Sequence, residues 1–153
     1  MWQLCGRTKV DGLGVVKIAL ADTIGVGTPK DVTRLTQAAA AITSKPLRLH
    51  LHNTRNTGYA NAFAAVEAGV SALDSSSGGI GGCPFAPNAT GNIATEDLTY
   101  LLERSGTALG LDFERLLVAA DYVTSQLEIA TPALLGRAGW FPAPSYPEAL
   151  HHD

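Results

Sequence analysis

Two histidines, His50 and His52, lie two residues apart in a segment where polar and apolar residues alternate. Successive side chains of a β-strand point to opposite faces, so both imidazoles are expected on one face and Leu47, Leu49 and Leu51 on the other. A neutral imidazole binds a divalent metal through one ring nitrogen. The spacing therefore indicates a metal site, although two hydrogen-bonded interior histidines fit the same pattern equally well.

Asp22 directly follows the first predicted strand, in the sequence L-A-D-T. Functional side chains in α/β folds collect at the C-terminal ends of strands, which makes Asp22 a candidate catalytic residue. The alternative is that its carboxylate caps the turn at Thr23 to Gly25. On this residue alone, the turn-capping interpretation is favoured.

A glycine-rich loop at residues 78–84 (G-G-I-G-G-C-P) is the most unusual segment of the chain. Glycines let the backbone approach a ligand closely, and such loops often close over active sites. Cys83 stands near its end, where a thiol could exchange a proton with a substrate. The alternative is a surface loop with an incidental cysteine. Asn92, nine residues after Cys83, offers a carbonyl oxygen that suits a hard cation.

The elements that must position these side chains alternate between strands and helices. The predicted strands cover residues 15–21, 47–52 and 70–74, and the first of them, being apolar and β-branched, is expected to be buried on both faces. The predicted helices cover 29–42, 58–68, 95–105 and 112–128, with Thr28, Thr95 and Asp112 as N-caps. This order predicts βαβ units and a parallel sheet.

The length and composition are those expected of one soluble domain with a hydrophobic core. The 153 residues carry a formal net charge of -3, with 46% hydrophobic and 16% charged residues. We expect no nucleic-acid partner, because no Lys/Arg cluster is available to neutralise phosphates. We expect no membrane partner either, because no apolar stretch of about 18 residues occurs. Two cysteines and no recognisable secretory signal favour a cytoplasmic location.

Five segments together resemble the 3-hydroxy-3-methylglutaryl-CoA lyase family, in that family's order and spacing. They are residues 20–29 (L-A-D-T-I-G-V-G-T-P), 50–54 (H-L-H-N-T), 60–61 (A-N), 78–86 (G-G-I-G-G-C-P-F-A) and 89–98 (A-T-G-N-I-A-T-E-D-L). The resemblance implies an α/β fold that is the C-terminal portion of a TIM (β/α)₈ barrel, with about three of the eight strands. Residues 1–130 would form this partial barrel domain, and residues 131–153 an irregular tail rich in proline and glycine.

The resemblance also implies roles for five residues. His50, His52 and Asn92 would bind a divalent metal, Mg²⁺ or Mn²⁺. Asp22 would contact the substrate and assist proton transfer, and Cys83 would take part in catalysis from the loop that closes over the site. The implied reaction is carbon–carbon cleavage of a 3-hydroxyacyl-CoA to acetyl-CoA and a keto acid such as acetoacetate, a step of leucine degradation.

The sequence also departs from the family pattern. The Arg-Asp pair that the family places on its first strand, and the Glu on its second, have no counterpart here. Asn53 stands where many members have Asp, and Asn56 where glycine is usual. A second hypothesis is therefore a truncated, non-catalytic barrel remnant that binds metal or CoA, or that self-associates. A homo-oligomer or a missing N-terminal barrel segment could complete the site, and we expect the isolated chain to be poorly active.

Overall fold

Three parallel strands form the sheet in the computed structural model, which describes residues 14–82 and 91–142. Strands β1 (Ile18–Asp22), β2 (Leu47–Leu51) and β3 (Ala72–Asp74) lie in the order β1-β2-β3. Asp22 is in register with Leu51, and His50 with Asp74. The C-terminal ends of all three strands therefore meet at one edge of the sheet, as the alternation of strands and helices predicted.

Two helices connect these strands and cover one side of the sheet. Helix α1 (Pro29–Ala40) follows β1, and helix α2 (Gly58–Glu67) follows β2. The predicted start of α1 is confirmed: the Thr28 hydroxyl accepts the Asp31 N–H, and the Asp31 carboxylate accepts the Thr28 N–H in return. Such a capping box satisfies N–H groups that the first helical turn leaves without partners. The N-terminus of α1 is thereby fixed beside the end of β1.

The core lies between the helices and the leucine face of the sheet. Leu49 and Leu51 are completely buried, and they pack in one cluster with the inward sides of α1 and α2. The opposite sheet face is open in the part of the chain that the structure describes, since Ala19 and Ala21 of β1 are exposed. The expectation that the first strand is buried on both faces is therefore wrong, because helices cover only its even-numbered side.

A 3₁₀ turn and further helices follow β3 in the described part of the chain. A single 3₁₀ turn, Ser77–Gly79, opens the glycine-rich segment, and helices α3 (Thr95–Arg104) and α4 (Phe113–Gln126) come after it. Asp112 caps α4 as predicted, through the Arg115 N–H. Thr95 does not cap α3: Ala94 is the N-cap residue, and the Thr95 hydroxyl instead lies 2.9 Å from the Ser75 hydroxyl.

The segment predicted to be an irregular tail contains a short helix, α5 (Leu135–Ala138), within its described part. Ala133 is buried, and the backbone N–H groups of Leu134 and Leu135 donate to the Asp97 carboxylate. Residues 131–138 therefore pack against α3 and do not extend into solvent as an irregular tail. The division of the chain at residue 130 stays a prediction. Among the described helices, none has the length and apolar character needed to span a membrane.

Candidate metal and substrate site

The ring nitrogens of the two histidines converge beyond the end of β2. The Nε2 atoms of His50 and His52 are 3.3 Å apart, and the two rings meet edge to face. His52 is buried, and its Nδ1 lies 2.7 Å from the Thr23 carbonyl oxygen in the loop after β1. A carbonyl oxygen can only accept, so Nδ1 of His52 carries the proton. In the neutral ring, Nε2 then presents a lone pair toward His50.

This arrangement fits a shared cation. Either Nε2–H of His50 donates to His52, or both Nε2 atoms present lone pairs to a common point. In the second case a metal ion between them would replace lone-pair repulsion with coordination. Two imidazole nitrogens that bind one divalent ion lie about 3.0 to 3.4 Å apart, given metal–nitrogen distances of about 2.1 Å and tetrahedral or octahedral angles. The observed 3.3 Å separation lies in that range.

Asn92 is joined to the histidine pair through its backbone. It forms an isolated antiparallel bridge with His52. Its Nδ2 donates to the Ile80 carbonyl over 3.1 Å, which fixes which end of the amide is the oxygen, because a flipped amide would set two oxygens against each other. Its buried Oδ1 has no hydrogen-bond partner within the described residues. A buried polar atom without a partner is costly, so this oxygen is a candidate ligand.

The orphaned oxygen of Asn92 is one of four such atoms in the described part of the chain. The other three are Thr36 Oγ1, Thr54 Oγ1 and Asn61 Oδ1. Only Asn92 is bridged to a histidine of the pair. The described residues hold no group of three or more His, Cys, Asp and Glu placed for a metal. The two imidazoles and the Asn92 amide therefore stay the predicted donor set, and further ligands would have to be substrate, water or other protein groups.

The glycines of the loop explain how Asn92 is held. Gly79 and Gly81 both have positive φ, which glycine adopts without strain. A Cβ at Gly81 would stand 2.8 Å from Asn92 Nδ2, and one at Gly79 would stand 3.3 Å from the Asn92 carbonyl oxygen. The glycine-rich segment thus lets its backbone lie directly against Asn92. The sequence predicted close approach of the backbone to a ligand; within the described residues, the close approach is to Asn92.

Asp22 is buried at the end of β1, with 2% of its surface exposed. Its two carboxylate oxygens accept the backbone N–H groups of Val26 and Gly27, at 3.0 and 2.8 Å. The turn-capping alternative is thus what the structure displays. Each oxygen keeps a further lone pair, so the catalytic role remains a prediction. The cap also fixes the loop whose Thr23 carbonyl binds His52.

Two of the departures from the family pattern, Asn53 and Asn56, have structural explanations. The Asn53 side-chain oxygen accepts the Gly58 N–H at the start of α2. Asn56 has φ +57°, a left-handed conformation that asparagine tolerates better than most residues. Cys83, the other predicted catalytic residue, lies outside the described residues, so its role stays a prediction.

Two carboxylates to which the sequence gave no role stand out in the structure, Asp74 next to His50 and Glu96 next to the glycine-rich loop. The Asp74 carboxylate lies 3.6 Å from His50 Nδ1 and 3.4 Å from Arg48 Nε. Glu96 is buried at the start of α3, and burial raises the pKa of its carboxyl group above the ordinary value. Their signal in the sequence was weak, because an Asp after a strand and a Glu in the first turn of a helix are common for structural reasons.

Comparison with known proteins decides the family. The family model described as HMGL-like matches residues 5–123. The chain belongs to the HMGL-like family. Among curated HMGL-like relatives, the (R)-citramalyl-CoA lyase of Chloroflexus aurantiacus is 47% identical over 139 residues, which cover 90% of this chain and 43% of that protein. The mitochondrial hydroxymethylglutaryl-CoA lyase of Mus musculus is 40% identical over 133 residues, covering 85% of this chain and 40% of that protein.

Solved HMGL-like structures show the same backbone arrangement. An HMG-CoA lyase from Acinetobacter baumannii, in complex with coenzyme A and 3-methylmalate, superposes with a TM-score of 0.81 at 39% identity. The superposition covers 89% of this chain and 45% of that one. The chain thus spans about two fifths of the length of the curated relatives it matches. The predicted fold class, part of a TIM barrel, is confirmed.

Proposed function

We propose that this chain forms the metal-binding part of a lyase that cleaves a 3-hydroxyacyl-CoA into acetyl-CoA and a keto acid. The observation that carries the proposal is the convergence of the His50 and His52 Nε2 atoms, which are 3.3 Å apart. The unpartnered Oδ1 of Asn92, whose backbone is bridged to His52, adds to it. Membership of a family whose curated relatives include lyases of two such acyl-CoAs supports it.

The donor set suits a hard or borderline divalent ion. Two imidazole nitrogens and an amide oxygen are compatible with Mg²⁺ or Mn²⁺ rather than with a soft ion that prefers thiolates. When bound, such an ion would stabilise negative charge on the substrate hydroxyl oxygen as that oxygen loses its proton. His50, His52 and Asn92 would hold the ion, and the contact between His52 and Thr23 would fix the imidazole tautomer.

The proposed reaction needs two proton transfers. A base takes the proton of the 3-hydroxyl, and the electron pair left on that oxygen forms the C=O bond of the keto acid as the C2–C3 bond breaks. The electron pair of the broken bond remains on C2 as the enolate of acetyl-CoA. A donor then returns a proton to C2. We assign these proton transfers to Asp22 and Cys83. The lone pairs of Asp22 that Val26 and Gly27 do not occupy leave it able to accept a further hydrogen bond.

Two acyl groups are the leading candidates for the substrate. Cleavage of hydroxymethylglutaryl-CoA would release acetoacetate, and cleavage of citramalyl-CoA would release pyruvate; both release acetyl-CoA. The identity to the citramalyl-CoA lyase, 47% against 40%, is the reason to test citramalyl-CoA alongside hydroxymethylglutaryl-CoA. Only the first candidate would connect the chain with leucine degradation.

The test is a turnover assay on the whole chain with each acyl-CoA, in the presence of Mn²⁺ and after its removal by a chelator. We expect metal-dependent release of acetyl-CoA together with one of the two keto acids. Asn92→Ala should weaken Mn²⁺ binding, whereas Asn88→Ala, a change of the same type outside the proposed ligand set, serves as the control. Turnover that persists unchanged after chelation would contradict the proposed mechanism.

A non-catalytic role is the second candidate, and the open sheet favours it. Among the described residues β1 and β3 each pair on one side only, and the side chains of Ala19 and Ala21 are exposed. Unpaired strand edges promote association with another polypeptide. Sedimentation at several concentrations tests this: Mn²⁺ binding without turnover, together with self-association, would support the second candidate over the first.

A further inference from the structure

Gly78, the first residue of the glycine-rich loop, is held by groups from three parts of the chain. Its N–H donates to both oxygens of the Glu96 carboxylate, at 2.9 and 3.1 Å. Its carbonyl oxygen accepts the Thr131 hydroxyl at 2.8 Å. A Cβ on Gly78 would stand 2.9 Å from Thr124 Cγ2 in α4, so no larger residue fits without a shift. Helix α3, helix α4 and the segment after α4 thus meet at this residue.

The buried position of Glu96 calls for an explanation. Only 2% of the residue is exposed, and burial of a carboxylate costs free energy unless hydrogen bonds compensate. Both of its side-chain oxygens accept the N–H of Gly78, which is the bond that joins Glu96 to the loop. The cost is consistent with the raised pKa of the carboxyl group, which burial causes. Glu96 is buried despite this free-energy cost, and it is hydrogen-bonded to the first residue of the loop. We therefore consider it a candidate for holding the loop in place.

The loop in turn determines the orientation of Asn92. Ile80, two residues after Gly78, accepts the Asn92 Nδ2–H with its carbonyl oxygen. Gly79 stands against Pro132, since a Cβ there would lie 3.1 Å from Pro132 Cγ. The positions of Gly78 and Gly79 therefore determine where the Ile80 carbonyl lies. That carbonyl is the group that directs Asn92 Oδ1 away from the loop.

We propose that Glu96 is a positioning residue for the metal site, which acts with Thr131 through Gly78 and the Ile80 carbonyl to orient the Asn92 amide. The inference rests on the proposed function in one respect, namely that Asn92 is a metal ligand. The proposal also gives Thr131, in the segment after α4, a role in orienting the Asn92 amide. Loss of the carboxylate leaves the Gly78 N–H without its acceptor, and the Asn92 amide is then free to rotate.

A double-mutant cycle on the whole chain tests the route through Asn92. We expect Glu96→Ala to weaken Mn²⁺ binding, measured by titration calorimetry, by about 10-fold, the lower end of the effects seen when a group that orients a ligand is removed. Glu96→Gln, which keeps an acceptor oxygen, should restore part of the affinity. In an Asn92→Ala background, Glu96→Ala should have no further effect. Glu103→Ala, on the same helix, is the matched control.

A purely structural role for Glu96 gives a different result. General loosening of the fold would weaken Mn²⁺ binding equally in the wild-type and Asn92→Ala backgrounds, and that outcome would overturn the proposal. An Asn92→Ala variant that binds Mn²⁺ as tightly as the wild type would instead refute the ligand assignment of the proposed function. The two failures are therefore distinguishable.

A second measurement needs no metal. In NMR spectra of the metal-free chain, the Asn92 side-chain amide protons should exchange slowly with water, because Nδ2 donates to Ile80. Glu96→Ala and Thr131→Val should both accelerate this exchange several-fold, while Glu103→Ala should leave it unchanged. Exchange that is equally slow in Glu96→Ala and in the wild type would overturn the proposal, whatever the affinity for Mn²⁺.

Discussion

The two faces of strand β2 differ in what surrounds them. On one face Leu47, Leu49 and Leu51 are buried in the hydrophobic cluster beneath α1 and α2. On the other face Arg48 is exposed and His50 is half-buried, and His52 follows just beyond the strand. The leucines have their partners in adjacent elements, whereas the histidines depend on loops from β1 and from the segment after β3. Stability and metal binding should therefore respond to different substitutions.

The largest expected effect is on the leucine face. Leu49→Ala removes a completely buried side chain from the cluster, which typically costs about 2 to 5 kcal/mol of unfolding free energy. Leu127→Ala is the matched control, since Leu127 is 55% exposed, and it should change stability by less than about 0.5 kcal/mol. Urea unfolding measures both. Similar losses in the two variants would contradict the assigned core.

The histidine face should show the opposite pattern. His52→Ala removes one proposed ligand, and we expect Mn²⁺ affinity to fall by about 100-fold or more, since even groups that only orient a ligand contribute about 10- to 100-fold. The effect on unfolding in metal-free buffer should be smaller than that of Leu49→Ala. His151→Ala, which removes a histidine from the C-terminal end of the sequence, is the control. Unchanged affinity in His52→Ala would remove the histidine pair from the proposed site.

Gly81→Ala tests whether Mn²⁺ binding at the histidine face depends on the glycine-rich loop that contacts Asn92. An added Cβ would lie 2.8 Å from Asn92 Nδ2. In addition, the backbone φ at this position is +107°, a value that residues with a side chain rarely adopt. We expect a loss of about 1 to 3 kcal/mol in stability and a measurable loss of Mn²⁺ affinity. Gly136→Ala in α5, where a Cβ meets nothing within 4 Å, is the control. A Gly81→Ala variant with the Mn²⁺ affinity of the wild type would show that metal binding does not depend on this loop.

The smallest effect concerns the pH dependence of stability. Burial, with the charges of Asp97 and Asp121 adding to it, raises the pKa of Glu96 above its ordinary value of 4.5. The folded state therefore binds this proton more tightly than the unfolded state. The resulting stabilisation is complete below about pH 4.5 and is lost as the pH rises through the folded-state pKa. Glu96→Gln cannot titrate, so the stability of the wild type relative to this variant should fall as the pH rises.

Urea unfolding of the wild type and Glu96→Gln between pH 4 and pH 8 measures this difference. A relative stability of the wild type that rises with pH would mean that hydrogen bonding to the ionised carboxylate outweighs its burial. Asp97→Asn provides a comparison, because Asp97 is the neighbouring carboxylate of the same helical turn. It should remove part of the rise in the pKa of Glu96.

Much of the fold could be predicted because its signals are local. The alternation of residues 47–52 placed the leucines and histidines on opposite faces, and the Thr28-Pro29 pair gave the start of α1. The first strand was the exception: its apolar composition suggested burial on both faces, yet Ala19 and Ala21 are exposed. Composition can show that a strand is able to be buried, but packing decides which face is covered.

The sequence by itself determined that His50 and His52 share a face, since the two-residue period of a strand is a property of the backbone. Only the tertiary structure decided the tautomer of His52 through Thr23, the direction of the Asn92 amide through Ile80, and the contact between Glu96 and Gly78. These contacts join residues that are 12 to 29 positions apart in the chain. Their geometry depends on how strand ends and loops meet, and no local pattern in the sequence records that.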